Sequence, residues 1–186
     1  MAKYEANIQP LNEDKIGTAP HGKATFELDE KRLRISIEME GVPANMMHWE
    51  HFHGFVDGKD AQPATMAQDT NHDGFVDLVE TEPVSGTTMV PFDSAPQQLD
   101  IANSNYPVAN EHGNFDYFKE VGIDELVRNF KKAFNDANLD LDKRVVYIHG
   151  VPDDMQLPDT VQGMAGEYDQ HVTLPIACGK IVKVSD

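Results

Sequence analysis

Apolar and polar residues alternate most regularly between residues 24 and 42. In ATFELDEKRLRISIEMEGV, Phe26 and Leu28 take every second position, and Leu33, Ile35, Ile37 and Met39 do the same beyond a turn at Asp29-Glu30-Lys31. A period of two puts alternate side chains on opposite faces, so the segment predicts a β-hairpin with one apolar and one charged face. Such a pattern suits an antiparallel sheet covered on one side. Gly41 and Pro43 end it. Further strands are expected in VSGTTMVPF (84–92), QQLDI (97–101), NFDYF (114–118), DKRVVYIHGV (142–151) and IACGKIVKV (176–184). One stretch changes period. In IDELVRNFKKAFNDAN, Ile123, Leu126, Val127, Phe130, Phe134 and Ala137 recur at helical spacing, with Arg128, Lys131 and Lys132 on the other face. No repeat, low-complexity segment or linker divides the chain. The expectation is one all-β domain over residues 1–186, an antiparallel β-sandwich with long loops and one inserted helix.

Composition narrows the function classes. With 40% hydrophobic and 25% charged residues, the 186-residue chain has the make-up of a soluble globular protein. Its apolar runs are too short to span a bilayer. Acidic residues outnumber basic ones 32 to 15, a net charge of −17 that repels phosphate backbones and argues against nucleic-acid binding. Most of that charge is expected to be solvated surface, but it also suits cations. The segment MAKYEANIQPLNEDK has no apolar signal region, so a cytoplasmic location is expected; a secreted mature chain cloned without its signal would look the same. The one cysteine, Cys178, has no intrachain partner, and its apolar strand-like context predicts a buried, inert thiol.

Three constellations carry candidate chemistry. In HWEHFHGF (48–55), an extended His51-Phe52-His53 would point both imidazoles to one side, where they could share a copper or zinc ion. His48 would face the other way unless the chain turns near Trp49. Spacing alone leaves solvent-facing histidines as an equal alternative. In DTNHDGFVDLVE (69–80), Asp69, Asn71, Asp73, Asp77 and Glu80 take the side-chain positions of a twelve-residue calcium loop. Phe75 takes the backbone-carbonyl position and Gly74 the sharp turn. The flanks QPATMAQ and TEPVSG read as loop, so the expectation is an isolated calcium loop between strands, against the alternative of a hydrated acidic loop that binds nothing. Finally, His149 ends an apolar strand on the face of Val145 and Tyr147. His21, His112 and His171 read as surface histidines.

The order of these motifs resembles the copper/zinc superoxide dismutase superfamily: His51-Phe52-His53, then Val146-Tyr147-Ile148-His149, Asp153-Asp154, Ala165-Gly166 and Ala177-Cys178-Gly179. The first part is also similar to chordin-type domains. The resemblance covers about residues 24–55 and 143–184. It implies a Greek-key sandwich on which His51, His53 and His149 converge at a copper-type site; His48, from its place beside the pair, is a weaker fourth candidate ligand. The chain also departs from that pattern. Between His53 and His112 there is only His72, so the family's zinc set is incomplete, and Pro175 stands where the family has its anion-holding arginine. The resulting expectation is a metal-binding protein, with copper or zinc and calcium as ions, lacking the full dismutase machinery. An active copper-dependent dismutase or other redox enzyme, and a structural or interaction domain without a transition metal, stay open. A homodimer is compatible with each.

Overall fold

In the computed structural model, which describes all 186 residues, the chain runs through β1 (Ala2–Pro10), α1 (Glu13–Ile16), β2 (His21–Leu28), β3 (Arg32–Glu40) and β4 (Glu50–Gly54). It continues through α2 (Leu78–Ser85), β5 (Thr87–Pro91), β6 (Phe115–Gly122), α3 (Ile123–Ala133), β7 (Val145–His149), α4 (Gln170–Thr173) and β8 (Pro175–Ser185). The strands form one antiparallel eight-stranded sheet in the order β5-β4-β7-β8-β1-β2-β3-β6. No helix is long and apolar enough to cross a membrane.

The two ends of the sheet fold over a common core. Ala24, Phe26, Leu33, Ile35, Ile37 and Met39 of the β2–β3 hairpin supply one wall, and Phe52, Val90, Val146, Ile148 and Ile176 the other. Phe26 and Phe92 meet across the core with ring centroids 5.8 Å apart. Tyr117 Oη donates to the Asp93 carbonyl at 2.7 Å, tying β6 to the segment that leaves β5. The fold-over is possible because β8 is long enough to serve both halves. Its residues 175–180 pair with β7 and its residues 177–185 with β1. Where the two pairings overlap the strands crowd: a Cβ at Gly179 would run into the Asn7 carbonyl.

The hairpin and the period-two strands expected from the sequence are present, and α3 buries Leu126 and Phe130 as its spacing requires. That helix stops at Ala133, short of the expected end, because Asn135 and Asp136 take left-handed conformations with φ of 53° and 62°. The chain has four helices rather than the one expected, α1 and α4 being single short turns, and three segments depart from the sequence reading. β1 carries only Tyr4, Ala6 and Ile8 inward, a weak alternation, yet it is a strand because β2 and β8 pair both of its edges. QQLDI is not a strand: Pro96–Gln98 is a single 3-10 turn, and Leu99 follows at φ 55°. The segment after the acidic loop is α2 rather than loop. Asp77 caps it in a reciprocal capping box with Glu80, and the helix runs on through Pro83.

Arg144 locks the entry to β7. It is fully buried, and its guanidinium donates to the carbonyls of Leu139 (2.8 Å), Phe55 (3.1 Å) and Asn138 (2.7 Å). Removing it leaves the Leu139 carbonyl unpaired at a buried contact, at about 1–3 kcal/mol, while the Phe55 carbonyl keeps Gly58 N–H and the exposed Asn138 turns to water. Arg144→Ala is therefore expected to lose about 1–3 kcal/mol in urea unfolding. A loss below about 1 kcal/mol would show that the Leu139 carbonyl finds another partner.

Candidate metal centre

β4 and β7 are neighbours in the sheet, with His51 opposite Tyr147 and His53 opposite Val145. Alternation along β4 puts Trp49, His51 and His53 on one face and His48, Glu50 and Phe52 on the other. Alternation along β7 puts Tyr147 and His149 on the same face as the His51/His53 pair. A shift in register between Ile148 and His149 brings the last residue of β7 opposite Pro175. The three rings thus collect at one place, with centroids 6.0 Å apart for His51 and His53, 5.0 Å for His51 and His149, and 5.7 Å for His53 and His149. One ring nitrogen from each lies within 4.8 Å of the others, an arrangement that could hold a metal ion. All three histidines are buried.

Hydrogen bonds fix which nitrogen each ring turns inward. Tyr106 Oη spends its proton on the Ile101 carbonyl at 2.7 Å, so at 2.9 Å it accepts from His51 Nε2. His149 Nδ1 donates to the Thr173 carbonyl at 2.8 Å. His53 Nε2 has a longer contact, 3.4 Å, with Thr88 Oγ1. The nitrogens left over are His51 Nδ1, His53 Nδ1 and His149 Nε2, and all three are buried without a partner. For His51 and His149 the neighbour selects the tautomer that leaves this nitrogen a bare lone pair, which is the state a metal ligand needs; the Thr88 hydroxyl can serve His53 as donor or acceptor. Burial, reinforced by the neighbouring imidazoles, pushes His51 and His53 well below the usual histidine range. Burial brings His149 down to about 4, against the smaller opposing effect of its bond to Thr173. The three rings are neutral near pH 7.

His48 does not belong to this group. It stacks on Phe115 at 5.9 Å, and its two ring nitrogens face backbone carbonyls, Nδ1 that of His149 at 3.0 Å and Nε2 that of Pro43 at 2.8 Å. The strand does not turn at Trp49, so the period-two rule holds and sends His48 to the far side. Glu50 shares that side. Burial, then the charge of Asp93, pushes its carboxyl well above the usual range, and neither carboxyl oxygen has a hydrogen-bond partner. Cys178 is the buried thiol the sequence suggests, with Sγ 3.5 Å from the Ala64 carbonyl and its pKa pushed up to about 12 by burial. Of the three outlying histidines, His21 and His112 are exposed. His171 is half-buried instead, held by Asp169 at 3.2 Å and by the Met155 carbonyl at 2.8 Å.

The acidic loop forms a second group. Asp69, Asp73 and Glu80 can bring one carboxylate oxygen each within 4.8 Å of the others. The loop is organised by its own side chains. Asp69 accepts the N–H groups of Asp73 (3.2 Å) and Gly74 (2.9 Å), Asn71 Oδ1 accepts Asp73 N–H at 3.2 Å, and Glu80 accepts Thr70 N–H at 2.7 Å. Gly74 sits at φ 92°, the conformation for which the sharp turn needs glycine. Asp77 lies outside the group, with its oxygens taken by the Glu80 and Gln162 N–H groups at 3.0 and 2.9 Å. Phe75 presents no side-chain ligand, and its N–H is bound to Asp73 at 2.9 Å. Buried Asn12 docks the loop against β8. Its amide accepts from Val76 N–H at 2.8 Å and donates to the carbonyls of Val76 (2.9 Å) and Pro175 (2.8 Å).

No known protein-family model matches this chain, and a search of curated proteins finds no match. Sequence reasoning named the three clustered histidines together with His48, and missed Tyr106, Thr173 and Thr88, which meet the rings. Tyr106 and Thr173 lie outside any period-two or helical pattern, and only the fold brings them to the rings.

The neutral rings set a pH dependence. A histidine whose folded pKa lies below its unfolded value of about 6.5 loses stability as pH falls through the interval between the two, because the unfolded chain takes up the proton first. For His149 the interval runs from about 6.5 down to about 4, with a slope of about 1.4 kcal/mol per pH unit at full effect. Metal-free His149→Gln is expected to show a shallower loss of stability between pH 6.5 and pH 4.5 than the parent. Parallel curves would mean that the ring is not buried neutral.

Proposed function

We propose that this chain is a metal-binding protein that holds one transition-metal ion, copper or zinc, on His51, His53 and His149, and calcium in the loop 69–80. The observation that carries the reading is the set of three unpartnered ring nitrogens. A buried polar atom without a partner is costly, and three of them aimed at one place are accounted for by an ion that satisfies all three. Nitrogen-only coordination suits copper and zinc, neither of which needs a thiolate. A copper ion would add one-electron redox chemistry to the site. The protein's own part is to keep water out, hold the rings neutral, and orient them through Tyr106, Thr173 and Thr88.

The antiparallel sheet folded over one core supports a superoxide-dismutase-like Greek-key sandwich as the underlying architecture. Two features argue that the full dismutase machinery is missing. Pro175, at the rim of the site opposite His149, carries no positive fork for an anion, and the fully buried Arg144 is committed to three carbonyls. The only groups of three or more potential metal ligands are the histidine cluster and the acidic loop, so no second histidine set stands beside the first.

Metal content after loading with copper or zinc and exhaustive dialysis is the direct measurement. The parent is expected to retain one equivalent, and His149→Ala and His53→Ala well under one. A parent that retains none sinks the reading, and superoxide turnover that depends on His149 replaces it with the dismutase reading. For the loop, calcium at a hundredfold excess over its dissociation constant stabilises by about 2.7 kcal/mol. The melting temperature should rise accordingly in the parent and stay unmoved in Glu80→Ala. No rise in the parent removes calcium from the proposal.

A further inference from the structure

The histidine cluster and the acidic loop come from different parts of the chain, yet one segment touches both. Thr160 Oγ1 donates to Asp73 Oδ2 at 2.7 Å, and Gln162 N–H donates to Asp77 Oδ2 at 2.9 Å. One residue on, the Gly163 carbonyl accepts Thr173 Oγ1 at 2.6 Å. Thr173 then turns its own carbonyl to His149 Nδ1 at 2.8 Å. The series runs from the carboxylates of the loop to a ring whose other nitrogen is one of the three orphans. It has little slack. Thr173 is buried, and a Cβ at Gly163, whose φ is 143°, would collide with Thr173 Oγ1 and press on Leu78. Of the three rings in the cluster, His149 alone is oriented by a backbone carbonyl; His51 and His53 rely on hydroxyls.

We propose that Thr173 is a positioning residue for the histidine site, and that through Gly163, Gln162 and Asp77 it couples that site to the acidic loop. An ordered loop holds residues 160–163 in place, these hold the Thr173 hydroxyl, and the Thr173 carbonyl keeps the His149 proton on Nδ1 and the Nε2 lone pair turned inward. Partners that fix a ligand's tautomer and orientation govern metal affinity even though they never touch the ion. Coupling of this kind is reciprocal: an ion in the loop tightens the histidine site, and an ion on the histidines tightens the loop by the same factor. The inference rests on the metal-binding reading above.

The test measures cobalt(II) affinity of the full chain by absorbance against a competing chelator, with calcium and with calcium removed. Thr173→Val keeps the carbonyl but loses the hydroxyl tether, and is expected to bind cobalt about tenfold more weakly. Its His149 Nδ1–H proton signal should broaden or disappear, which a merely structural defect elsewhere would not produce. Thr160→Val changes an exposed residue outside the histidine cluster. It should fold like the parent while shrinking the calcium-dependent gain in cobalt affinity. If the parent binds cobalt and both variants match it, with calcium making no difference, the coupling is wrong while the metal site stands. If the parent binds no cobalt at all, the metal-binding reading fails and the coupling fails with it.

Discussion

The structure hangs on β8. A strand that pairs with β7 along its first half and with β1 along most of its length makes one sheet out of two walls, and the core closes because those walls face each other. The same strand sets the register of the candidate metal centre. With Tyr147 opposite Cys178 and Ile148 opposite Ala177, the irregularity after Ile148 brings His149 opposite Pro175, at the beginning of β8. From there the chain runs back into α4 and Thr173, which supplies the carbonyl for the ring. A change of one residue in this register would turn His149 to the other face of the sheet and take it away from His51 and His53.

The site that results is held by polar atoms in an apolar setting. Three imidazoles are taken out of water, and burial makes the protonated form of each unfavourable. His48 is placed differently, with each ring nitrogen facing a backbone carbonyl, although a neutral ring can donate to only one of the two. The three in the cluster use one nitrogen each and leave the other bare. The contrast separates His48 from the cluster better than burial does, since all four rings are buried.

Much of this was legible in the sequence, and the rest was hidden for definable reasons. The hairpin, α3 and the His51/His53 pair could be read because each depends on a local period, two or 3.6, that side chains record directly. The membership of His149 needed more than a period, since its strand is remote in sequence and only order of motifs linked the two. β1 was illegible because its stability comes from paired edges rather than from an apolar stripe. α2 was hidden by Pro83 and by a cap that uses acidic residues already read as calcium ligands. Asp77 shows the conflict most clearly: one residue type, in one position, serves equally well as a helix cap and as a distant ligand, and the fold spends it on the cap.

That choice also explains how an acidic, disulfide-free chain keeps a long excursion between β4 and β5 in order. The loop 69–80 is held at three points by groups outside it: Asn12 grips Val76 from both sides while reaching Pro175, Thr160 grips Asp73, and Gln162 grips Asp77. Each grip belongs to a segment that also approaches the histidine cluster, through Pro175 in one case and Thr173 in the others. The hydrogen bonds these carboxylates accept from neighbouring N–H and hydroxyl groups hold the loop in shape, and at Asp73, against burial, they favour the charged form a cation would meet. An ordered loop and an oriented His149 are, in this geometry, two consequences of the same set of hydrogen bonds.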